Sequence, residues 1–458
     1  MRNLPLLTLL SLCCLLARAA EPLDTLPVLR LYGQFGYEYQ PATLILGSDT
    51  LTARLKWRGG TTNTPDRHKR NYKIKLNEDH ALLGMRSDNN WLLDAGQADV
   101  FRLRNRIATD LWNDFATPPY YHELQPKAHT GTRGRVIEVY LNDQYEGIYC
   151  LTEQIDRKQL KLRKADEQAI HGLLWKSKGY GASLMYDMPD TYDNYLPQWD
   201  VFEAKYPEPG DDLDSTDYRT LYQAINFVMH APDDRFAREV SQYFDIPVVI
   251  DYYLFTNVLG AVDNRGKNMH WAVYDQQEDP RLTIAVWDLD GTVGQPWLAN
   301  HDPSYTSPYY HVGPTNYLVE RLIALDVDQF NQKAAERYKA LRHAQFHTDS
   351  LKARYRAFYE LLSLSGADLR ETQRWSGDSD IDHRSIDFEQ ETEYICDWIE
   401  KHLSYLDTVF DAPIQSGIAR RAAYAPSTTR YYDLQGRRLQ NPQGLHIKVG
   451  TRRVASAP

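Results

Sequence analysis

Asp263-Asn264-Arg265-Gly266-Lys267-Asn268 and Asp288-Leu289-Asp290-Gly291 are two polar segments in the stretch running from Ile246 to Gly294. Before the first, Ile246 to Leu259 is apolar almost all round, which predicts a core helix rather than a surface one. Asp245 is placed to cap it, and Pro247 suits its first turn. Between the two segments, Met269–Tyr274 and Leu282–Trp287 read as two strands joined by the turn Gln276-Gln277-Glu278-Asp279-Pro280. The order is therefore core helix, acidic loop, hairpin, second acidic turn.

Working outward toward the amino terminus, residues 26–57 alternate apolar and polar, as strands do. In Asn71–Leu76, Tyr72, Ile74 and Leu76 share one face while Lys73 and Lys75 share the other. Helical spacing of Phe101, Leu103, Ile107, Leu111 and Phe115 predicts a helix over 99–115. Residues 135–152 read as a hairpin turning at Asn142-Asp143. Residues 180–217 are rich in Asp, Pro, Tyr and Gly and predict a long loop or insertion, a lid or substrate platform. Toward the carboxyl terminus, 317–362 and 385–411 read as amphipathic helices. The pattern predicts an α+β chain. Its β-rich part covers about 20–160, its central core about 245–300 and its helical part about 317–411. A linker follows at 412–429, and a short strand-turn-strand tail at 430–458.

The chain has 458 residues, 42% hydrophobic, enough for a sizeable core. Its formal charge of -10 argues against broad neutralisation of a phosphate backbone, so nucleic acid is not an expected partner. Aromatic residues make up 12%, a level that suits large cores and stacking surfaces.

Residues 1–19 read as a secretory signal peptide: Arg2, an apolar run from Leu4 to Ala17, and the cleavage pattern Ala17-Arg18-Ala19. The run is shorter than the ~20 residues of a span, and no other stretch is long and apolar enough, so no transmembrane span is expected. A lipoprotein form would use Cys13, but Leu12 stands where a small residue belongs. The expectation is a secreted, periplasmic or surface protein. Cleavage takes the charge to about -12 and leaves Cys150 and Cys396, whose spacing leaves pairing open.

Four familiar catalytic patterns are missing from the sequence: G-x-S-x-G, C-x-x-C, H-E-x-x-H and the Walker G-x-x-x-x-G-K-[ST]. The two acidic turns match a different demand. Phosphoryl transfer needs a carboxylate near the acceptor hydroxyl and oxygen ligands for a divalent metal. In protein kinases the base Asp and a metal-binding Asn lie five positions apart, and a metal-binding Asp follows a hairpin. Asp263 and Asn268 have that spacing, and Asp288, with Asp290 beside it, has that place. Such a site also needs a strand Lys for phosphates and an acid to orient it. Lys73 and Lys75 follow Arg58-Gly59-Gly60, whose glycines permit close approach of backbone to phosphate. Glu153, at the end of the predicted hairpin, is the candidate acid.

Several segments in order resemble the CotH kinase family, the atypical kinases related to spore coat protein H, over about residues 27 to 410. Arg58-Gly59-Gly60-Thr61 is similar to the family's Arg-Gly-Asn-Ser turn, with Gly60 in place of Asn. Tyr72-Lys73-Ile74-Lys75-Leu76 is similar to its lysine-bearing strand and favours Lys75 as the phosphate ligand. Trp91-Leu92-Leu93, Arg104-Asn105, Tyr140 to Tyr149 with Glu153, and Glu203 to Glu208 resemble further segments. Trp287-Asp288-Leu289-Asp290 resembles its Trp-Asp-Leu-Asp signature. The resemblance implies an atypical protein-kinase-like fold, with a β-rich amino-terminal lobe and an α-rich carboxyl-terminal lobe. It also implies transfer of the ATP γ-phosphate to Ser/Thr of a protein with Mg²⁺ or Mn²⁺. Carried over by position, Asp263 is catalytic, and Lys75, Glu153, Arg58, Gly59 and Gly60 bind ATP. Asp288, Asn268 and Asp290 hold the metal. The tail Tyr432 to Arg438 resembles the short sorting segments of secreted Bacteroidetes proteins.

A second reading keeps the fold without the activity: a surface binding or adhesion protein contacting a glycan or another surface protein. The aromatic excess and the 180–217 stretch motivate it. A carboxylate-based glycosidase has no pair that spacing assigns.

Overall fold

The computed structural model describes residues 25–210, 213–297, 301–306 and 312–411, with short paired strands at Arg430–Tyr432, Arg438–Leu439 and Ile447–Val449. The leader at 1–19, the linker at 412–429 and most of the tail lie outside the described residues.

Seven strands form the amino-terminal part: β1 (Val28–Gly33), β2 (Gln40–Leu46), β3 (Asp49–Arg58), β4 (Asn71–Ala81), β5 (Ser87–Asp94), then β6 (Gly134–Leu141) and β7 (Gln144–Glu153). They close into a barrel of order β1-β2-β3-β4-β5-β7-β6, sealed by parallel pairing of β1 with β6. Alternation explains the closure. Leu29, Leu31, Leu44, Leu55, Ile74, Trp91, Leu93, Val139 and Leu151 fill the interior, and intervening polar residues face out. The β6–β7 turn sits at Asn142-Asp143, both left-handed (φ 47° and 66°), as a two-residue hairpin turn requires.

Helix α1 (Arg104–Phe115) interrupts the barrel and starts later than the apolar spacing suggests. Asp99 is the reason. Its carboxylate accepts from the N–H groups of Phe101 and Arg104, which holds 99–103 in a turn. After β7 and α2 (Arg157–Leu160) comes a second sheet. Its strands are β8 (Leu173–Ser177), β9 (Gln198–Trp199), β10 (Phe202–Tyr206), β11 (Met269–Val273) and β12 (Thr283–Val286), in the order β12-β11-β8-β10-β9. The expected long loop at 180–217 thus contains two strands. Trp199, Phe202 and Ala204 are buried and anchor β9 and β10 in the core, an apolar signal diluted by the surrounding Asp and Pro.

The helices are α3 (Arg219–His230), α4 (Asp233–Glu239), α5 (Ile246–Val258), α6 (Tyr317–Leu325), α7 (Phe330–Arg342), α8 (Thr348–Leu364), α9 (Ala367–Trp375) and α10 (Phe388–Asp411). Every residue of α5 from Val248 on is buried, as its all-round apolar pattern predicts. Asp245 does not cap α5 with its side chain. Its carboxylate accepts instead from the Tyr120 N–H at 2.9 Å and the Thr283 hydroxyl at 3.0 Å, tying the helix start to the second sheet. Cys150 and Cys396 are both buried free thiols. No described helix is long and apolar enough to cross a membrane.

Candidate active site

Between the barrel wall and the second sheet lies a cavity of about 850 Å³. Its lining is dense in charge of both signs, and Asp94, Glu203, Glu208 and Lys267 are part of it. Lys56, Arg58 and Lys73 come from β3 and β4, and Lys176 and Lys205 from β8 and β10. Asp263, Asp288 and Asp290 come from the segments that follow α5 and β12.

Asp263 sits in a single helical turn, Val262–Asn264, after α5. Three donors surround its carboxylate: Lys267 Nζ at 2.8 Å and the Tyr180 hydroxyl at 3.0 Å on Oδ1, and Asn268 Nδ2 at 2.8 Å on Oδ2. Burial is the largest influence and raises its pKa above the ordinary carboxylate value. Lys267 and Tyr180 oppose that rise, and Asp288 adds to it. The loop is held by Asn264, fully buried, whose Nδ2 donates to the carbonyls of Asn268, Trp287 and Asp288 at 3.1, 2.8 and 3.2 Å. One side chain thus fixes the two acidic turns relative to each other. Gly266 (φ 86°) allows the loop to pass Leu184, whose Cδ2 would lie 2.7 Å from an added Cβ. Asn268 and Asp288 themselves have left-handed backbones (φ 53° and 60°), which Asn and Asp tolerate best among residues with a side chain.

Asp288 is open to the cavity, and Asp290 is partly buried. Burial, and then the charges of Asp288, Asp94, Asp99 and Asp263, push Asp290 well above the ordinary carboxylate pKa. Asp94, at the end of β5, is raised by burial and joins the acidic turn through Asn105 on α1. Asn105 Nδ2 donates to Asp94 at 2.6 Å, and its Oδ1 accepts from the Leu289 N–H at 3.0 Å.

Among the cations, burial lowers the pKa of Lys176 to about 8, with Asp288 opposing the fall and Arg58 and Lys205 assisting it. Lys73 and Arg58 are also lowered, chiefly by burial. Trp287 lies between these cations: Arg58 is 5.3 Å and the Lys176 ammonium 5.4 Å from its ring centre.

The cavity therefore gathers Arg58, Gly59, Gly60, Asp263, Asn268, Asp288 and Asp290 from the sequence-derived set. It does not gather Lys75 or Glu153. The strand lysine on the lining is Lys73, two residues from Lys75 on the same face of β4. Glu153 is buried in the barrel seam, where its carboxylate accepts from the N–H groups of Arg86 at 3.3 Å and Arg133 at 3.1 Å. It thus ties the strand end to two backbone N–H groups. Gly59 (φ 130°) is sterically required, since an added Cβ would fall 2.3 Å from Thr62 Oγ1. Gly60 faces open space, where a side chain would meet no neighbour. Sequence reasoning missed Lys176, Lys205, Asp94 and Asn105 as lining groups. Lys176 carried a usable signal: a single cation inside the apolar strand Leu173–Ser177.

The donor chemistry suits a hard divalent cation. Asp288 and Asp290 offer carboxylate oxygens, and Mg²⁺ is commonly held by one or two carboxylates with phosphates and water completing the shell. A cation there would relieve the repulsion that raises Asp290. Among the described residues, the one tight group of three potential ligands lies elsewhere, at His68, Asp378 and Asp380. The cleft acids therefore do not form a closed protein cage and are suited to sharing an ion with a bound phosphate.

A pocket that brings carboxylate oxygens together with ammonium and guanidinium groups has the chemistry to receive a metal-bound polyphosphate. Comparison with known families agrees: the CotH kinase protein family matches residues 55–406, and the chain belongs to that family. Family membership suggests an atypical kinase. No curated protein matches the chain.

Proposed function

We propose that the protein is an exported CotH-type kinase with an atypical kinase fold, transferring the γ-phosphate of ATP to a Ser or Thr hydroxyl of a protein. The observation that carries this reading is the gathering in one cavity of Arg58, Lys73, Lys176 and Lys205 with Asp263, Asp288 and Asp290. Arg58, Lys73 and Lys176 receive the phosphates, and the open backbone at Gly59-Gly60 lets them approach. Asp288 and Asp290 would hold Mg²⁺ or Mn²⁺, which neutralises charge developing on the phosphates when bound. Asp263 orients the acceptor hydroxyl and takes its proton. The hydroxyl oxygen forms the new bond to phosphorus, and the bond from phosphorus to the ADP oxygen breaks. Lys267, 2.8 Å from Asp263, offsets charge next to the transferred group. Burial raises Asp263 into a range where it accepts a proton more readily than a solvated carboxylate.

The test is transfer of labelled γ-phosphate to casein or to the protein itself with Mg²⁺ or Mn²⁺. Incorporation that Asp263→Ala and Asp288→Ala abolish supports the reading; incorporation unchanged by either overturns it. One observation favours a second reading, a binding protein on the same fold: Tyr186, Tyr195 and Leu196 are exposed on the segment that follows Tyr180. Stabilisation by a glycan or peptide, with none by Mg-ATP, would select it.

A further inference from the structure

Away from the cleft, the barrel meets the helical part along a charged joint. The β3–β4 connection carries Arg67-His68-Lys69-Arg70. Opposite it is the turn after α9, where Asp378 caps a short helical turn, Ser379–Ile381, that contains Asp380. His68 and Asp378 are 310 residues apart in sequence, yet Nδ1 of one lies 2.8 Å from Oδ2 of the other. Asp380 is 5% exposed. Its Oδ2 accepts from the N–H groups of His68 at 2.9 Å and Lys69 at 2.8 Å, while Oδ1 has no hydrogen-bond partner. The Arg67 guanidinium approaches Oδ1 only to 3.7 Å, beyond hydrogen-bond range. A buried carboxylate oxygen left in this state is costly unless something positive meets it.

We propose that His68, Asp378 and Asp380 form a second divalent-metal site, of the zinc class, that staples the barrel to the turn after α9. One nitrogen and two carboxylate oxygens lie within 4.8 Å of one another. Ligands at ~2.0–2.1 Å around a tetrahedral ion sit about 3.4 Å apart, so modest side-chain rotation closes the site. The imidazole selects against Mg²⁺ and Ca²⁺, which prefer oxygen alone, and in favour of Zn²⁺, with Mn²⁺ weaker. The ion takes the place of the proton now shared by His68 and Asp378. Entry is open, because His68 and Asp378 line a surface hollow of about 530 Å³ together with Phe35, Trp57 and Arg374.

The experiment uses full-length protein stripped with chelator, without nucleotide, so its outcome is independent of the kinase reading. Metal content after equilibration with Zn²⁺ should be about one ion per chain. Thermal unfolding should shift upward by several degrees with Zn²⁺, less with Mn²⁺, and not with Mg²⁺ or Ca²⁺. His68→Ala and Asp378→Asn should each lose the ion and the shift, while Asp288→Asn keeps both. His68 is largely solvent-facing, so its variant tests the site without emptying the core. No bound Zn²⁺, or the same uptake and shift in wild type and His68→Ala, would overturn the proposal.

Discussion

Two charge clusters lie at the contacts between the barrel and the rest of the molecule, and they differ in how fully their charges are paired. In the joint, opposite charges share direct contacts, although burial still lowers Lys69 to about 8 and raises Glu146 to about 7. Lys69 and Arg102 contact the same Glu371 oxygen at 2.9 and 2.7 Å, and Arg104 contacts Asp99 at 2.6 Å and Glu391 at 2.5 Å. Accordingly Glu371 lies below its ordinary pKa and Glu391 falls to about 2, even though burial acts the other way. In the cleft, Lys267 meets Asp263 and Lys205 meets Glu203, but other charges sit beside their own kind. Asp290 is raised beside Asp288, Asp94 and Asp263, and Lys176 drops to about 8 beside Arg58 and Lys205. A matched cluster holds two bodies together; a mismatched one is a candidate site for a charged ligand.

That contrast can be broken at its strongest points first. Asp263→Ala and Asp288→Ala should each lower phosphate transfer by about 10²- to 10⁴-fold while leaving chemical denaturation midpoints close to wild type. A large fall in the midpoint would make the cleft structural. Glu371→Gln should do the reverse. It leaves two buried cations unpaired and should cost about 3–5 kcal/mol in urea unfolding. Lys176→Ala should raise the KM for ATP about 10- to 100-fold, the scale of a lost charged hydrogen bond.

The smallest effects are those of pH and of relieved repulsion. Asp263 must be ionised to accept a proton, so kcat/KM should fall with decreasing pH at a value above the usual carboxylate range. Lys176 must be charged to hold phosphate, so the alkaline limb should lie near 8 and move in Lys176→Ala. Asp290→Asn should raise stability by about 0.5–2 kcal/mol at neutral pH. Asp290 is destabilising when ionised, because its folded pKa is raised. The gain should therefore vanish below about pH 4, where the wild-type group is protonated in both states, and grow as pH rises through the folded value.

The parts legible in the sequence were those set by local periodicity. The barrel strands, the hairpin at Asn142-Asp143 and the buried helix α5 follow from alternation, turn chemistry and an all-round apolar run. The spacing of Asp263, Asn268 and Asp288 brought three lining groups together because one short hairpin separates the two turns. What local pattern could not supply was which end of a strand borders the cleft. Lys73 and Lys75 share a face, and only the closure of the barrel decides between them. Glu153 looked like a lysine partner, but its position in the β5–β7 seam gives it two backbone N–H groups to satisfy. Strands β9 and β10 escaped notice because two buried aromatics sit among many Asp and Pro. The joint at Glu371 depends on contacts over about 300 residues of separation, beyond any window of local reading.

The central claim is that the mismatched cleft exists to be completed by a metal-bound nucleotide. Calorimetric titration of full-length protein with ATP, in the presence and absence of Mg²⁺, tests it most directly. The account predicts saturable binding at one site that requires the metal and is lost in Asp288→Ala and weakened in Lys176→Ala. Absence of binding, or binding that both variants leave unchanged, would contradict it.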